Sequence, residues 1–569
     1  MSSNVAFVRF VRAIAAAAAM AAALVATAAP AIAQGPPPAT ITIVNNNQPG
    51  IGFNDPTPAA PVGGNTGTTL GEQRLIAFQY AASLWGRRIS SPVPIRVRAQ
   101  FVPLAPGVLG SAGPLSVWRD FQNAPRPGTW YHAALANALA GVDQDPTSDE
   151  INTNFSTLFP FYLGLDNKAP AGQFDLVAVL LHEFAHGLGF SQFSNLTTGA
   201  LFAGFPDHYN SRLFDNAQQQ YWPQMTNGQR AASATSFGRV ILDAPTVTAN
   251  IPQVLTLGSP GVQVQAPASI AGFYQFGTAA FGPAVGSPNV QGTVVAAVDA
   301  IEVGGASTDG CSPLSNAAAV AGNIALVERG LCGFAVKARN ASEAGAIGVI
   351  IYNQASNVNA GPPGMAGDGI NDAFVTAPTV SLRRVDGLAI LGQIPAGVTA
   401  FLGADPTIRA GADALGRARV FAPFPVQGGS SISHYDSVAS RNLLMEPAIN
   451  RDLTQNLKAP FDLTSEFFYD SGWRFPDADS DGVVDDEDCN PTSDRRATIV
   501  LGTLNSGVPN ALFANGCTMA DLIATQKASS TTHGGYVSGV AGLTNGWVAD
   551  GLITGAQKGA VQSSAARNK

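Results

Sequence analysis

Charge is scarce in this sequence: Asp, Glu, Lys and Arg make up 12% of its 569 residues, and the net charge is −8. No stripe of basic residues is present, which excludes the electrostatic footprint of a nucleic-acid binder. Cysteine is scarcer still. The four residues fall as two sequence-local pairs, Cys311 with Cys332 and Cys489 with Cys517, and neither has CxxC spacing, which argues against a thiolate zinc site. Four thiols allow three connectivities, and an oxidising compartment favours two disulfides. Beyond the N-terminal stretch no segment has the length and apolarity to cross a bilayer, and no solenoid-type repeat is found. What is abundant is glycine (61) and proline (39). That composition suits a loop-rich extracellular globular protein of several folded units, not a coiled coil or a disordered chain.

The N-terminus carries Arg9 and Arg12, then the apolar run AIAAAAAMAAALVATAAPAIA, ending in Ala31-Ile32-Ala33 before Gln34. This is the layout of a cleaved secretory signal over residues 1–33. It predicts a secreted protein, released to the extracellular or cell-envelope (periplasmic) space, with no stable membrane span after cleavage.

Residues 34–66 are rich in Pro, Gly and Asn, with one short β-run. TTLGEQRLIAFQYAASLWGRRI reads as a helix with Leu75, Phe78, Ala81 and Leu84 on one face and Arg74 and Arg87 in solvent. PIRVRAQFVPL alternates as a strand, and residues 174–187 read as a second helix. From about 245 to 300 the composition predicts short strands and turns. Residues 324–352 give a β-α-β element, with its helix closed by Gly345. An acidic loop follows Trp473, and the C-terminal 493–569 reads as helical. The mixture predicts an α+β fold.

In HEFAH the two histidines, His182 and His186, stand four apart, so on a helix both imidazoles project from one face and can share a metal ion. Glu183 lies where its carboxylate can take a proton from a metal-bound water. Gly189 allows the backbone to turn three residues later. HEFAHGLGF thus resembles the opening of the metzincin signature, HExxHxxGxxH, but the expected third histidine is Gln192, a poor zinc ligand. No glutamate occurs between Glu183 and Glu302, which removes most glutamate-ligand alternatives. On chemistry alone Asp207, Asp215 and His208 stay open as third ligands.

GGSSISHYDSVASRNLLMEPAIN, which contains His434, is similar to leishmanolysin, a metzincin in which a long insertion separates the helix-breaking glycine from the third histidine. The resemblance covers about residues 34–250 and 411–474, including DLTSEFFYDSGW as a closing helix. It implies His434 as the third zinc ligand, 248 positions after His186, and Met445 in a methionine turn beneath the metal.

The intervening 251–410 contains, at about 285–400, a stretch that resembles a protease-associated (PA) domain; the family often pairs its two cysteines, as Cys311 and Cys332 would be here. In DADSDGVVDDED, Asp477, Asp479, Asp481, Val483 (through its carbonyl), Asp485 and Asp488 stand at calcium-loop positions with Gly482 at the sharp turn. The following CNP makes residues 475–492 similar to a thrombospondin type 3 repeat. The expectation is a secreted zinc endopeptidase acting on peptide or protein substrates, with Zn²⁺ and Ca²⁺ as cofactors. It has a metzincin-like catalytic domain split by the PA insertion, then a calcium loop and a small helical region. The alternative is a non-catalytic binding protein with a structural metal site.

Overall fold

The computed structural model describes residues 36–569, so the predicted signal segment lies outside the described residues. The described chain divides into two compact units, 38–474 and 475–569, the latter grouped with Pro36 and Pro37.

In the larger unit, β1 (Ile41–Asn45), β2 (Ile95–Val102), β3 (Gly110–Pro114) and β4 (Ile151–Ser156) form a sheet in the order β1-β2-β4-β3. The first three neighbours run parallel, and β3 returns antiparallel to β4 at the sheet edge. Strict alternation along β2 buries Ile95, Val97, Ala99 and Phe101. Against this sheet lies α1 (Leu70–Arg88), whose start is fixed by a capping box between Thr69 and Glu72. Its buried stripe is Ala77, Phe78, Ala81, Ala82 and Trp85, and Phe78 meets Phe155 edge-on at 4.9 Å. Arg74 is not free in solvent as its position on the polar face predicts: it pairs with Asp55 at 3.0 Å and is mostly buried.

The second helix, α2 (Leu176–Leu188), has all thirteen residues buried, so it runs through the interior with no solvent face. It begins later than the 174–187 prediction. Phe174 and Asp175 instead pair with Phe161–Tyr162 as a short parallel bridge, and Asp175 then caps the helix by accepting from the Val177 and Ala178 amides. The Trp85 indole donates to the Leu181 carbonyl at 3.1 Å, tying α1 to α2.

Residues Pro245–Val254 are helical, not strand and turn as their composition predicts; Pro245 sits in the first turn, where its missing N–H costs nothing. An eight-stranded sheet follows: β5 (Leu257–Ala266), β6 (Gly272–Tyr274), β7 (Phe276–Thr278), β8 (Val290–Ala296), β9 (Ile324–Glu328), β10 (Gly348–Tyr352), β11 (Thr379–Leu382) and β12 (Thr399–Arg409), in the order β6-β5-β12-β8-β9-β10-β11-β7. Strands β8 to β11 are parallel neighbours. Between β9 and β10, Phe334–Glu343 is the crossover helix of the expected β-α-β element. Its outermost strands in sequence, β5 and β12, pair antiparallel along their length, from Leu257 opposite Arg409. Just outside them, Ile241 and Leu242 pair with Arg419 and Ala418, and the Val420 amide donates to the Val240 carbonyl. The chain therefore leaves and re-enters the surrounding structure at one place. Thr464–Ser471 forms the helix expected in DLTSEFFYDSGW.

The 475–569 unit is not purely helical, which corrects the C-terminal expectation. A hairpin of Thr498–Leu501 and Leu504–Pro509 packs with three helices, Met519–Ser529, His533–Ala549 and Gly555–Arg567. Ile499, Val508, Met519, Tyr536, Val540 and Val561 supply its core. Disulfides join Cys311 to Cys332 and Cys489 to Cys517. Among the described residues no helix is long and apolar enough to cross a membrane.

Candidate metal centre and its cleft

The i, i+4 spacing on α2 places His182 and His186 on one face, and the segment after the eight-stranded sheet brings His434 against them. The Nε2 atoms of the three rings are 3.1 to 3.2 Å apart. Each ring is oriented from behind by a backbone carbonyl that accepts its Nδ1 proton: Leu444 for His182 (2.7 Å), Phe190 for His186 (2.7 Å) and Ser430 for His434 (2.8 Å). With Nδ1 as the donor, every Nε2 lone pair points at a common centre. Burial pushes His182 down to about 4, His186 to about 3 and His434 well below the usual imidazole range, so all three are neutral.

This donor set fits zinc. Ligand nitrogens at 2.0–2.1 Å on a tetrahedron stand about 3.3–3.4 Å from one another, close to the observed separations, and neutral imidazole with a carbonyl partner on its other nitrogen is the form that binds.

Glu183 is buried beside the histidines and accepts a hydrogen bond from the Ala112 backbone. Burial pushes its carboxyl up to about 8; a dication held by the histidines would oppose that shift by stabilising the carboxylate. The edge strand β3 comes so close that a Cβ on Gly110 would meet the Glu183 Cγ at 3.0 Å. A cleft of about 490 Å³ opens here, lined by Gly110 to Ala112 on one side, Phe159, Phe174, Val179 and Ile449 as apolar wall, and the three histidines with Glu183 as floor.

Gly189 ends α2 at φ +138°, where its amide donates to Ala185 and His186. A side chain there would be strained, and its Cβ would also meet the His208 ring at 3.1 Å. Met445 is fully buried. The turn that contains it acts on the site through its backbone: Leu444 orients His182, and the Met445 carbonyl accepts from the amide of Tyr435, next to His434.

The other third-ligand candidates lie elsewhere. Gln192 turns its side chain back to the Ser194 amide. Asp207 accepts from the Phe193 and Asn210 amides, Asp215 from Ala217, Gln218 and Ser233, and His208 contacts His132. At the acidic loop, Asp477, Asp479 and Asp481 bring carboxylate oxygens within 4.8 Å of one another. Asp485 and Asp488 are not in that group; they accept from the Ala478 and Asn490 amides, and Val483 donates its amide to Asp481. His132, Ser191 and Ser433, close behind the histidines, carry no sequence signal of their own beyond the rarity of histidine.

A family model for the PA domain matches residues 290–390. These residues form a PA domain. The chain is 44% identical over 90 residues to ER degradation-enhancing alpha-mannosidase-like protein 3 of Homo sapiens, covering 15% of this chain and 10% of that protein. It is 47% identical over 66 residues to an aminopeptidase of Pseudomonas aeruginosa, 12% of each, and 38% identical over 79 residues to the minor extracellular protease Vpr of Bacillus subtilis, 14% of this chain and 9% of that protein. The chain thus spans about a tenth of the length of these relatives, an alignment the size of one module. Among solved structures, a zinc aminopeptidase from Bacillus subtilis superposes with a TM-score of 0.20 at 18% identity, over 28% of this chain and 35% of that one, too slight a likeness to bear on the fold. The names of these relatives span a mannosidase-like protein and peptidases, so the likeness does not by itself select a chemistry.

Proposed function

We propose that the chain is a secreted zinc endopeptidase of the leishmanolysin-like metzincin type, its catalytic domain interrupted by the PA domain. The observation that carries this reading is the convergence of His182, His186 and His434 with Glu183 buried beside them, at the floor of a cleft bordered by a free strand edge. A zinc ion held there would acidify a water and polarise a scissile carbonyl. Glu183 is placed to take the proton from that water and pass it to the leaving amine. Strand β3, at the edge of its sheet, offers main-chain groups along which an extended peptide can lie, apart from the Ala112 amide, which donates to Glu183, and Pro114, which has no N–H. Phe159, Phe174, Val179 and Ile449 give one substrate side chain an apolar wall. A peptide that continues in both directions along β3 suits cleavage within a chain. The two disulfides favour an oxidising compartment.

The rival is a non-catalytic binding protein in which the same histidines hold a structural metal. A structural zinc site has its coordination closed by protein ligands, whereas three histidines leave a position open to the cleft. The deciding experiment incubates the mature protein with a peptide library, before and after zinc removal by a chelator. Hydrolysis is expected to disappear on chelation and return with added Zn²⁺; a zinc-loaded protein that cleaves no peptide would establish the rival.

For residues 475–492 the proposal is a calcium loop. Supporting it are the three gathered carboxylates and the buried Oδ2 atoms of Asp481 and Asp488, which have no hydrogen-bond partner. Burial, with Asp481, Asp479 and Asp485 nearby, raises the Asp488 carboxyl, the repulsion a dication would relieve. Calcium chelation of the full-length protein is therefore expected to lower the unfolding temperature of the C-terminal unit in calorimetry. The loss corresponds to about 2.7 kcal/mol where free Ca²⁺ had been a hundredfold above its Kd. An unchanged thermogram would remove calcium from the account.

A further inference from the structure

Behind the histidine centre lies a second pair of histidines that the proposed chemistry does not use. His132 and His208 are buried, with Tyr131 stacked on the His208 ring at 5.6 Å. His208 Nε2 is 3.1 Å from His132 Nδ1, and His132 Nε2 is 2.7 Å from the Ser191 hydroxyl. The direction of this chain follows from its far end. His208 Nδ1 is buried without a partner, and a stranded N–H costs more than a stranded lone pair, so the His208 proton sits on Nε2 and is donated to His132 Nδ1. His132 then carries its own proton on Nε2 and donates it to Ser191 Oγ. The Ser191 hydroxyl is left to donate toward the His186 carbonyl at 3.5 Å.

Ser191 belongs to the short turn that follows Gly189, and each residue of that turn is fastened. The Phe190 carbonyl accepts from His186 Nδ1, and the Gln192 amide donates to the hydroxyl of Ser433, the neighbour of His434, at 3.3 Å. The Phe193 amide donates to Asp207 Oδ2 at 2.8 Å. Two of the three histidines of the centre, far apart in sequence, are thereby tied to one turn, and His132 grips the Ser191 side chain of that turn from behind.

We propose that His132, set in its tautomer by His208, is a positioning residue for the metal centre and acts through Ser191. It fixes the turn at the height where Phe190 orients His186 and Gln192 reaches Ser433 in the segment of His434. Gln192, at the place where a third histidine would stand, contributes its backbone to this clamp. The inference rests on the zinc reading above, and its readout is the metal itself.

The test compares Ser191→Ala, His132→Phe and His132→Gln with wild type. Zinc affinity is measured by competition with a chromophoric chelator, geometry by the visible spectrum of the Co²⁺-substituted protein, and folding by melting of the metal-free protein. Ser191→Ala and His132→Phe are expected to weaken zinc binding about 10- to 100-fold and to alter the Co²⁺ bands, the range seen when partners of metal ligands are removed. His132→Gln, whose amide can donate from near the Nε2 position, should recover most of the affinity. Wild-type zinc affinity and an unchanged Co²⁺ spectrum in Ser191→Ala would overturn the proposal and leave the pair as core packing; that variant decides the matter should His132→Phe fail to fold. Wild-type protein that takes up no zinc would overturn the zinc reading first, and this inference with it.

Discussion

Glu183→Ala is expected to bind one zinc per chain as wild type does, yet to lose peptide hydrolysis by about 10²- to 10⁴-fold in kcat, the usual contribution of a positioned acid–base group. The variant separates chemistry from coordination because Glu183 is not among the three converging nitrogens; its carboxylate lies against β3 and accepts from the Ala112 amide. Removing it leaves each histidine's carbonyl partner in place. Substrate affinity should change little, since the apolar wall and the strand edge remain. Glu183→Gln, which keeps the volume, should be as inactive as the alanine form, because an amide cannot accept and return a proton at neutral pH. Zinc content by metal analysis and turnover of a cleaved library peptide are the two measurements. A Glu183→Ala protein with near-wild-type turnover would remove Glu183 from the role of base. Loss of zinc together with activity would instead make it a structural support of the centre.

How far the sequence foretells this arrangement depends on whether a feature is local. The four-residue spacing of His182 and His186 places both rings on one helical face wherever the helix lies, and the β-α-β element of residues 324–352 is written in short-range periodicity. Strand β3 is different: GSAGP has no alternating pattern and poor strand formers, and it is extended because β4 pairs with it. That pairing makes it the wall of the cleft. The calcium-loop spacing names five aspartates, but the carboxylates that converge are those of Asp477, Asp479 and Asp481, while Asp485 and Asp488 accept from the Ala478 and Asn490 amides outside that group. His132 and Ser191 stand in no motif. They meet through the packing of Tyr131–His132 against the turn after Gly189, which local patterns do not encode.

The second large effect concerns the ligand that lies furthest away in sequence. His434→Ala is expected to weaken zinc binding by several orders of magnitude and to abolish hydrolysis, while Gln192→Ala keeps stoichiometric zinc. Three neutral nitrogens that leave a fourth position for water form a catalytic site; two leave the ion to solvent and whatever donors can reach it. The other third-ligand candidates are engaged elsewhere. The His208 nitrogens are turned to His132 or buried away from the centre, both Asp207 oxygens accept hydrogen bonds, and the Gln192 amide group is folded onto Ser194. His208→Ala and Asp207→Ala serve as the discriminating controls: both are expected to lower stability through lost buried contacts, and His208→Ala, which releases His132, to weaken zinc affinity by no more than about 10- to 100-fold, but one zinc per chain should remain bound in the folded fraction. The intervening polypeptide is no obstacle to such a remote ligand. Strands β5 and β12 pair directly, and Ile241 and Leu242 pair with Arg419 and Ala418 just outside them, so the surrounding structure meets only a short gap where the PA-containing segment departs. Loop-closure cost grows only logarithmically with length, about 0.6 kcal/mol per doubling, and a folded insertion whose ends are already paired adds less. Zinc content, turnover and an anomalous-scattering map at the zinc edge would be read for all four variants. Retention of full zinc and activity by His434→Ala, with loss of both in His208→Ala or Asp207→Ala, would refute the leishmanolysin-like assignment and reduce Met445 to an ordinary core methionine.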